Sequence, residues 1–256
     1  MRHLVIPDTQ ADPNRPDDHM IWAGRYAVKM KPDVIIHLGD HWNLGSLSSY
    51  DRGKGSMEGR RYLKDIEAGN IAMDKFMQPI LKEQKRLRKN KKQVWNPRLI
   101  FLLGNHEERI ERAINDNIQL ADLIGYHDFN LSRYDWEVYP FLEVVTVDGV
   151  CYSHYFTSGV MGRPVSSARL MLTKKHMSCV MGHVQDRDIA FARKADGTGM
   201  TGIFAGIFYQ HDEEYLNPQT NSSWRGVWVL NDVDNGEFDE LPVSMDYLKE
   251  KYSNAS

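Results

Sequence analysis

The sequence predicts an α/β fold in one domain, and three observations carry that expectation. Short apolar runs recur along the chain, and several stop at a polar residue beside a glycine or aspartate, as strands buried on both faces do. Between the first two runs lies a segment with helical periodicity, so residues 3–38 make a strand–helix–strand unit whose strands should be parallel. No repeat, low-complexity linker or shift in composition divides the 256 residues, of which 41% are apolar, enough to fill a substantial core.

Taken in order, residues 3–7 form a strand that ends in Asp8-Thr9-Gln10. A polar loop leads to Pro16-Asp17-Asp18, where acidic residues suit the positive end of a helix dipole. That helix runs to about Met30 and is stopped by Lys31-Pro32. Residues 34–38 are a second buried strand, ending in Gly39-Asp40-His41-Trp42-Asn43. After a Gly/Ser-rich loop at 44–57, a long helical region spans about 58–90, kinked or divided by Pro79. The strand at 99–103 stops at Gly104 and presents Asn105, His106 and Glu107, and a helix follows to about Asn115.

Residues 144–147 and 150–153 read as a hairpin through Asp148-Gly149, and its second strand delivers His154. A glycine-rich loop at 157–164 and a helix at about 166–176 precede the strand 179–181, which ends in Gly182-His183-Val184-Gln185. Residues 202–209 and 226–230 are further strands, and 236–256 read as a polar C-terminal tail with one short helix.

Five of these strands end alike. Asp8, Asp40, Asn105, His154 and His183 each stand just past an apolar run, where α/β proteins present reactive groups at a sheet edge. Two aspartates, an asparagine and two histidines are a donor mixture that suits a pair of divalent ions. A carboxylate can bridge both ions, while imidazole and amide oxygen complete each shell without excess negative charge. Two such ions would outweigh two carboxylates and leave a positive site for a phosphate. Five unrelated structural residues are the competing explanation, and it leaves their shared position without a cause.

These residues resemble the calcineurin-like metallophosphoesterase family, whose pattern runs Asp-x-His, Gly-Asp-x-x-Asp, Gly-Asn-His-Asp/Glu, a lone His and Gly-His-x-His. The matching segments are Asp8-Thr9-Gln10, Gly39 to Asn43, Gly104-Asn105-His106-Glu107, His154 and Gly182 to Gln185, in that order within residues 3–209. The chain is also similar to small bacteriophage-encoded members, through Ile6 to Gln10, Met181 to Gln185 and Trp224-Arg225-Gly226. The resemblance implies a four-layer α/β sandwich, two packed mixed β-sheets flanked by helices. It implies a hydrolase that cleaves phosphoesters with a hydroxide held between two divalent metal ions. Asp40 would bridge the ions; Asn105, His154 and His183 would complete the second metal, and Asp8 would belong to the first. His106 would not ligate metal but would stand by the leaving-group oxygen, as general acid or transition-state stabiliser.

Two departures fall on the first metal. Gln10 stands where the pattern has a histidine, and Gln185 replaces the last histidine of Gly-His-x-His. Each can offer a carboxamide oxygen instead, so both remain candidate ligands. Oxygen ligands suit harder ions, which places Mn²⁺ ahead of Mg²⁺, Fe²⁺ and Zn²⁺ and makes the first site the weaker. The two glutamines also keep open a weakly active metal- or phosphate-binding module. Asn43 replaces an aspartate of the second motif at a position that is not a regular ligand.

The substrate is less legible. Seven basic residues and one acid between Lys82 and Lys92 suit a nucleic-acid backbone, and equally a solvated helix terminus. His41 and Tyr50 are expected at the pocket rim. Arg163 is either a phosphate clamp or a surface arginine, and His211 either reaches the site or is structural. A phosphodiesterase or nuclease is the leading reading, and a phosphomonoesterase on a nucleotide, small molecule or phosphoprotein is the alternative. The net charge of -3 and pI ≈ 6.4 give no whole-molecule attraction to nucleic acid or membrane. No apolar run is long enough to span a bilayer, and Met1-Arg2-His3 leads straight into a strand rather than a signal peptide. Cys151 and Cys179, both in apolar runs, read as buried reduced thiols. A cytoplasmic protein is therefore expected, in the host cytoplasm if phage-encoded. Oligomeric state is left open.

Overall fold

The computed structural model describes residues 1–212 and 223–253. Its strands are β1 (His3–Ile6), β2 (Val34–His37), β3 (Arg98–Leu102), β4 (Glu137–Tyr139), β5 (Val145–Val147) and β6 (Val150–Ser153). They continue as β7 (Cys179–Met181), β8 (Arg187–Arg193), β9 (Gly199–Ala205), β10 (Gly226–Asp234) and β11 (Glu237–Ser244). Two mixed sheets result, with orders β11-β10-β1-β2-β3-β4 and β5-β6-β7-β9-β8. Strands β1 to β4 are parallel, as are β6, β7 and β9, and antiparallel strands flank each set.

The five α-helices among the described residues are α1 (His19–Met30), α2 (Tyr62–Lys89), α3 (Arg109–Asp116), α4 (Ala168–Lys175) and α5 (Met245–Tyr252). The alternation of side chains along each strand sets the layers. Leu4, Ile6, Ile35, Leu99 and Phe101 face a cluster built from α1, α2 and α5, including Ala23, Phe76 and Leu248. Their neighbours Val5, Ile36, Ile100 and Leu102 face the second sheet, meeting Tyr152, Val180 and Ile203. Behind that sheet, Cys151, Cys179 and Phe204 pack on Ala168 and Met171 of α4. The layers therefore run helix, sheet, sheet, helix, with each fully buried aliphatic side chain contributing about 1.5–3 kcal/mol.

Of the kink or division expected at Pro79, the division is excluded, because the long helix passes through Pro79 as one element. Two further expectations are corrected. The segment 236–256, expected as a polar tail with one short helix, does carry a helix, α5, capped by Ser244 accepting from the Tyr247 N–H, but its first part is strand β11, and Val243, Met245 and Leu248 are buried. Residues 254–256 of that tail lie outside the described residues. Strands β4 and β8 were not anticipated; both are sheet edges with largely accessible side chains. Among the described residues no helix is long and apolar enough to cross a membrane. Cys151 and Cys179 are buried and free.

Candidate metal centre

Strands β1, β2, β3, β6 and β7 deliver their C-terminal ends to a common place. The Asn105 Oδ1 lies 2.9 Å from His154 Nε2 and 2.7 Å from His183 Nδ1. The His154 Nε2 is also 3.5 Å from Asp40 Oδ1. Asp40, His154 and His183 each offer one ligand atom within 4.8 Å of the others. Asp8 joins the group by accepting the His183 backbone N–H at 3.1 Å.

The tautomer of His154 bears on what these atoms can hold. Its Nδ1 lies 2.8 Å from the Leu38 carbonyl, an acceptor only, so Nδ1 carries the proton. In the neutral ring Nε2 is then a lone-pair acceptor, and it faces the amide oxygen of Asn105 and a carboxylate oxygen of Asp40. Acceptors converging on one point fit a divalent cation, and the imidazole–amide–carboxylate set suits Mn²⁺, Fe²⁺ or Zn²⁺. At the end of β1, whose Gln10 N–H donates to the Asp40 carbonyl at 2.9 Å, the buried Gln10 Oε1 has no hydrogen-bond partner. A buried amide oxygen without a donor is costly, and coordination would satisfy it. The residues present therefore fit a metal ion held by Asp40, Asn105, His154 and His183, with Asp8 and Gln10 buried at the neighbouring end of β1.

The electrostatics agree. Asp8 and Asp40 are buried together. Burial first, and then the charge of Asp40, pushes the Asp8 carboxyl well above its ordinary range. Burial would raise Asp40 as well, but His106, His154 and His183 with the His106 N–H outweigh it and hold Asp40 down at about 2. The imidazole of His183 is pushed down to about 4 and that of His106 to about 3, in both cases chiefly by burial. A cation bound between these two buried carboxyl groups would relieve the repulsion by which Asp40 raises Asp8.

Backbone geometry explains the motif glycines. A Cβ on Gly104 would lie 2.2 Å from Asp40 Oδ1 and 2.4 Å from the Asp40 nitrogen, and one on Gly182 would lie 2.5 Å from Asp8 Oδ1. Glycine is needed where backbone closes against a ligand carboxylate. Gln10, Asp40 and His183 adopt φ of 40, 50 and 62°, a left-handed conformation that costs a non-glycine residue roughly 1–2 kcal/mol.

Glu107 holds the Asp40 turn in that conformation. Its Oε1 accepts the N–H groups of His41 and Trp42 at 2.7 and 3.0 Å, and its Oε2 those of Asp40 and Gly104 at 2.9 and 2.8 Å. Burial and the nearby Asp40 push this carboxyl up to about 7 while the N–H donors pull the other way. The clamp connects the ends of β2 and β3. It is sequence-distant, and only the Gly-Asn-His-Glu motif hinted at it.

His106 borders the cluster. Its N–H donates to Asp40 Oδ1 at 2.8 Å, its Nε2 is 3.8 Å from Asp40 Oδ2, and its buried Nδ1 has no hydrogen-bond partner. It also lines a cavity of about 620 Å³ together with Gln10, Tyr50 and His211. Tyr50, expected at the pocket rim, lines this cavity and is exposed. His41, expected there too, does not: it is fully buried, with Nδ1 2.6 Å from Thr9 Oγ1 and Nε2 2.9 Å from the Gly69 carbonyl. These bonds tie the β2 end to the β1 end and to α2, and leave no ring nitrogen for substrate. Arg163 is exposed in its loop and is not among the residues lining this cavity. Gln185 is half-buried in the bend after His183 and is likewise absent from that lining. Sequence reasoning passed over Arg109, which lines the cavity beside His106.

The basic end of α2 lies away from this edge. Lys31 pairs with Glu83 at 3.3 Å, and Trp95 bonds the Pro32 carbonyl at 2.8 Å and accepts from Gln84 through its own carbonyl. Those contacts sit at the N-terminal ends of β2 and β3. The first turn of α2 instead reaches the site edge, where Asp65 accepts the Ser46 N–H at 2.8 Å. A 28-residue helix separates its two ends by roughly 40 Å.

No family model matches the chain, and no curated protein was found to match it.

Proposed function

We propose that the protein is a metal-dependent phosphoesterase acting on a phosphodiester, with the strand-end cluster as its catalytic centre. The observation that carries this reading is the convergence of Asp40, Asn105, His154 and His183 on one point, with His106 between that point and the cavity. The helix–sheet–sheet–helix order and the ordered motifs support a calcineurin-like metallophosphoesterase. Asp40, Asn105, His154 and His183 would hold one ion, and Asp8, Gln10 and shared Asp40 the other, with Gln185 as a further first-metal candidate. Bound divalent ions, Mn²⁺ foremost, would supply Lewis-acid activation of water and neutralise phosphate charge.

The chain's own residues do the rest. The Leu38 carbonyl orients His154, and Glu107 fixes the turn that presents Asp40. His106, on the cavity side, stands where a leaving-group oxygen would emerge and can donate or share a proton there through a ring nitrogen. Burial keeps bulk water from the carboxylates. The buried, unpartnered Gln10 oxygen supports a working first site over a degenerate one. A cavity of about 620 Å³ beyond His106, with Arg15, Lys54, Arg60 and Arg109 among its lining residues, leaves room for an anionic substrate that extends past the scissile phosphate.

Hydrolysis of bis-p-nitrophenyl phosphate and p-nitrophenyl phosphate, each with Mn²⁺, Mg²⁺, Fe²⁺ or Zn²⁺, tests the proposal. Diester cleavage dependent on Mn²⁺ and abolished by Asn105→Ala with His106→Ala is expected. Cleavage of the monoester alone assigns a phosphomonoesterase. A wild-type rate no higher than that of the double variant rejects an enzyme and leaves a binding module.

A further inference from the structure

The cavity beside His106 is charged in a way the cluster does not use. Its wall carries Arg15, Lys54, Arg60 and Arg109 against Asp12 and Asp51. Arg60 is paired with Asp12, which is almost fully buried, so that pair is internally neutral. Asp51 is occupied by the hydroxyls of Ser48 at 2.7 Å and Ser56 at 3.2 Å. Arg109 is different. One of its nitrogens donates to the carbonyls of Asn43 and Leu44 at 2.7 and 3.4 Å, and among the described residues no carboxylate pairs with it. A half-buried guanidinium held only by carbonyls is a cation awaiting an anion. The ammonium of Lys54 also has no ion-pair partner among the described residues, and lies 3.4 Å from the centre of the Tyr50 ring. Tyr50 itself is 71% exposed.

Cations interleaved with an accessible aromatic ring are what a nucleotide chain engages, through phosphates and base stacking respectively. We infer that Arg109 and Lys54 form an anion subsite on the leaving-group side of His106, for a nucleotide or oligonucleotide that carries a second phosphate beyond the scissile one. The inference rests on the phosphoesterase reading for which phosphate is cleaved, but the subsite itself is a matter of binding. It also reassigns the polyanion contact. The basic end of α2, from Lys82 to Lys89, lies roughly 25–35 Å along the helix from Asp65 at the site edge, so the first phosphate past the scissile bond meets the cavity cations.

Calorimetric titration of the Mn²⁺-loaded protein with thymidine 5′-monophosphate and thymidine 3′,5′-bisphosphate tests the subsite. The bisphosphate should bind about tenfold more tightly, the value of one added charge-assisted contact. Lys54→Ala and Arg109→Lys should each remove most of that ratio. Lys54 is exposed, so its variant tests the idea even if Arg109→Lys folds poorly, with circular dichroism as the check. Equal affinities, a ratio unchanged in Lys54→Ala, or no binding of either nucleotide overturns the subsite. The two readings fail separately. Hydrolysis of bis-p-nitrophenyl phosphate without a bisphosphate preference rejects the subsite alone; a preference without any hydrolysis rejects the catalytic reading alone.

Discussion

Gly104→Ala adds one methyl group at the point where the site is tightest. The new Cβ would lie 2.2 Å from Asp40 Oδ1 and 2.4 Å from the Asp40 nitrogen. Non-bonded carbon contacts settle near 3.5 Å, so the Asp40 turn must retreat by about 1 Å. The Glu107 clamp and the His106 N–H bond oppose that retreat. Overpacking of this kind costs about 1–3 kcal/mol of stability, and a 1 Å misplacement at a catalytic group costs on the order of 100-fold in rate. Gly104 lacks the positive φ that would penalise alanine on backbone grounds, so the effect isolates the overlap. Gly159→Ala is the control, because a Cβ there meets nothing within 4 Å. Urea unfolding, Mn²⁺ affinity and diester hydrolysis of both variants are the assays. A Gly104→Ala protein that matches Gly159→Ala in all three refutes the claim that this glycine exists to admit Asp40.

Gln10→His restores an imidazole beside Asp8, and the left-handed φ of residue 10 is one that histidine tolerates. Zinc binding at the looser equivalent should tighten, measured by competition with a chromophoric chelator; unchanged affinity places residue 10 outside the metal shell. His41 tests the buried network through pH. Burial pushes its imidazole down to about 4, below the unfolded value near 6.5, so the unfolded chain takes the proton first as pH falls. Stability is lost from about pH 6.5 toward 4, at about 1.4 kcal/mol per pH unit. Between pH 7 and 5, with metal chelated, His41→Gln should therefore lose about 2 kcal/mol less than wild type by urea unfolding; parallel pH profiles contradict this.

What could be read from the sequence was the set of strand ends. Buried parallel strands announce themselves as apolar runs, and 34–38, 99–103 and 179–181 were placed to within a residue of their observed bounds. Edge strands lack that signal. Glu137–Tyr139 offers no apolar run, Arg187–Arg193 mixes charge with Ile189 and Phe191, and Glu237–Ser244 contains Pro242 and four polar or charged residues. Their pairing comes from the neighbouring strand rather than from their own composition. Local motifs likewise could not show which polar group faces inward. His41 follows Asp40 directly, yet its ring turns into the core to meet Thr9 and Gly69. The Glu107 clamp and the cation at Arg109 depend on turns that meet only in space, between residues 40–44 and 104–109.

Titration of the metal-free protein with Mn²⁺, followed by electron paramagnetic resonance, addresses the strand-end cluster itself. One tight and one looser equivalent are expected, both weakened by Asp40→Ala if that carboxylate is shared as proposed, with the looser one lost in Gln10→Ala. Absence of binding, or binding indifferent to Asp40→Ala, would contradict a metal centre at these five strand ends.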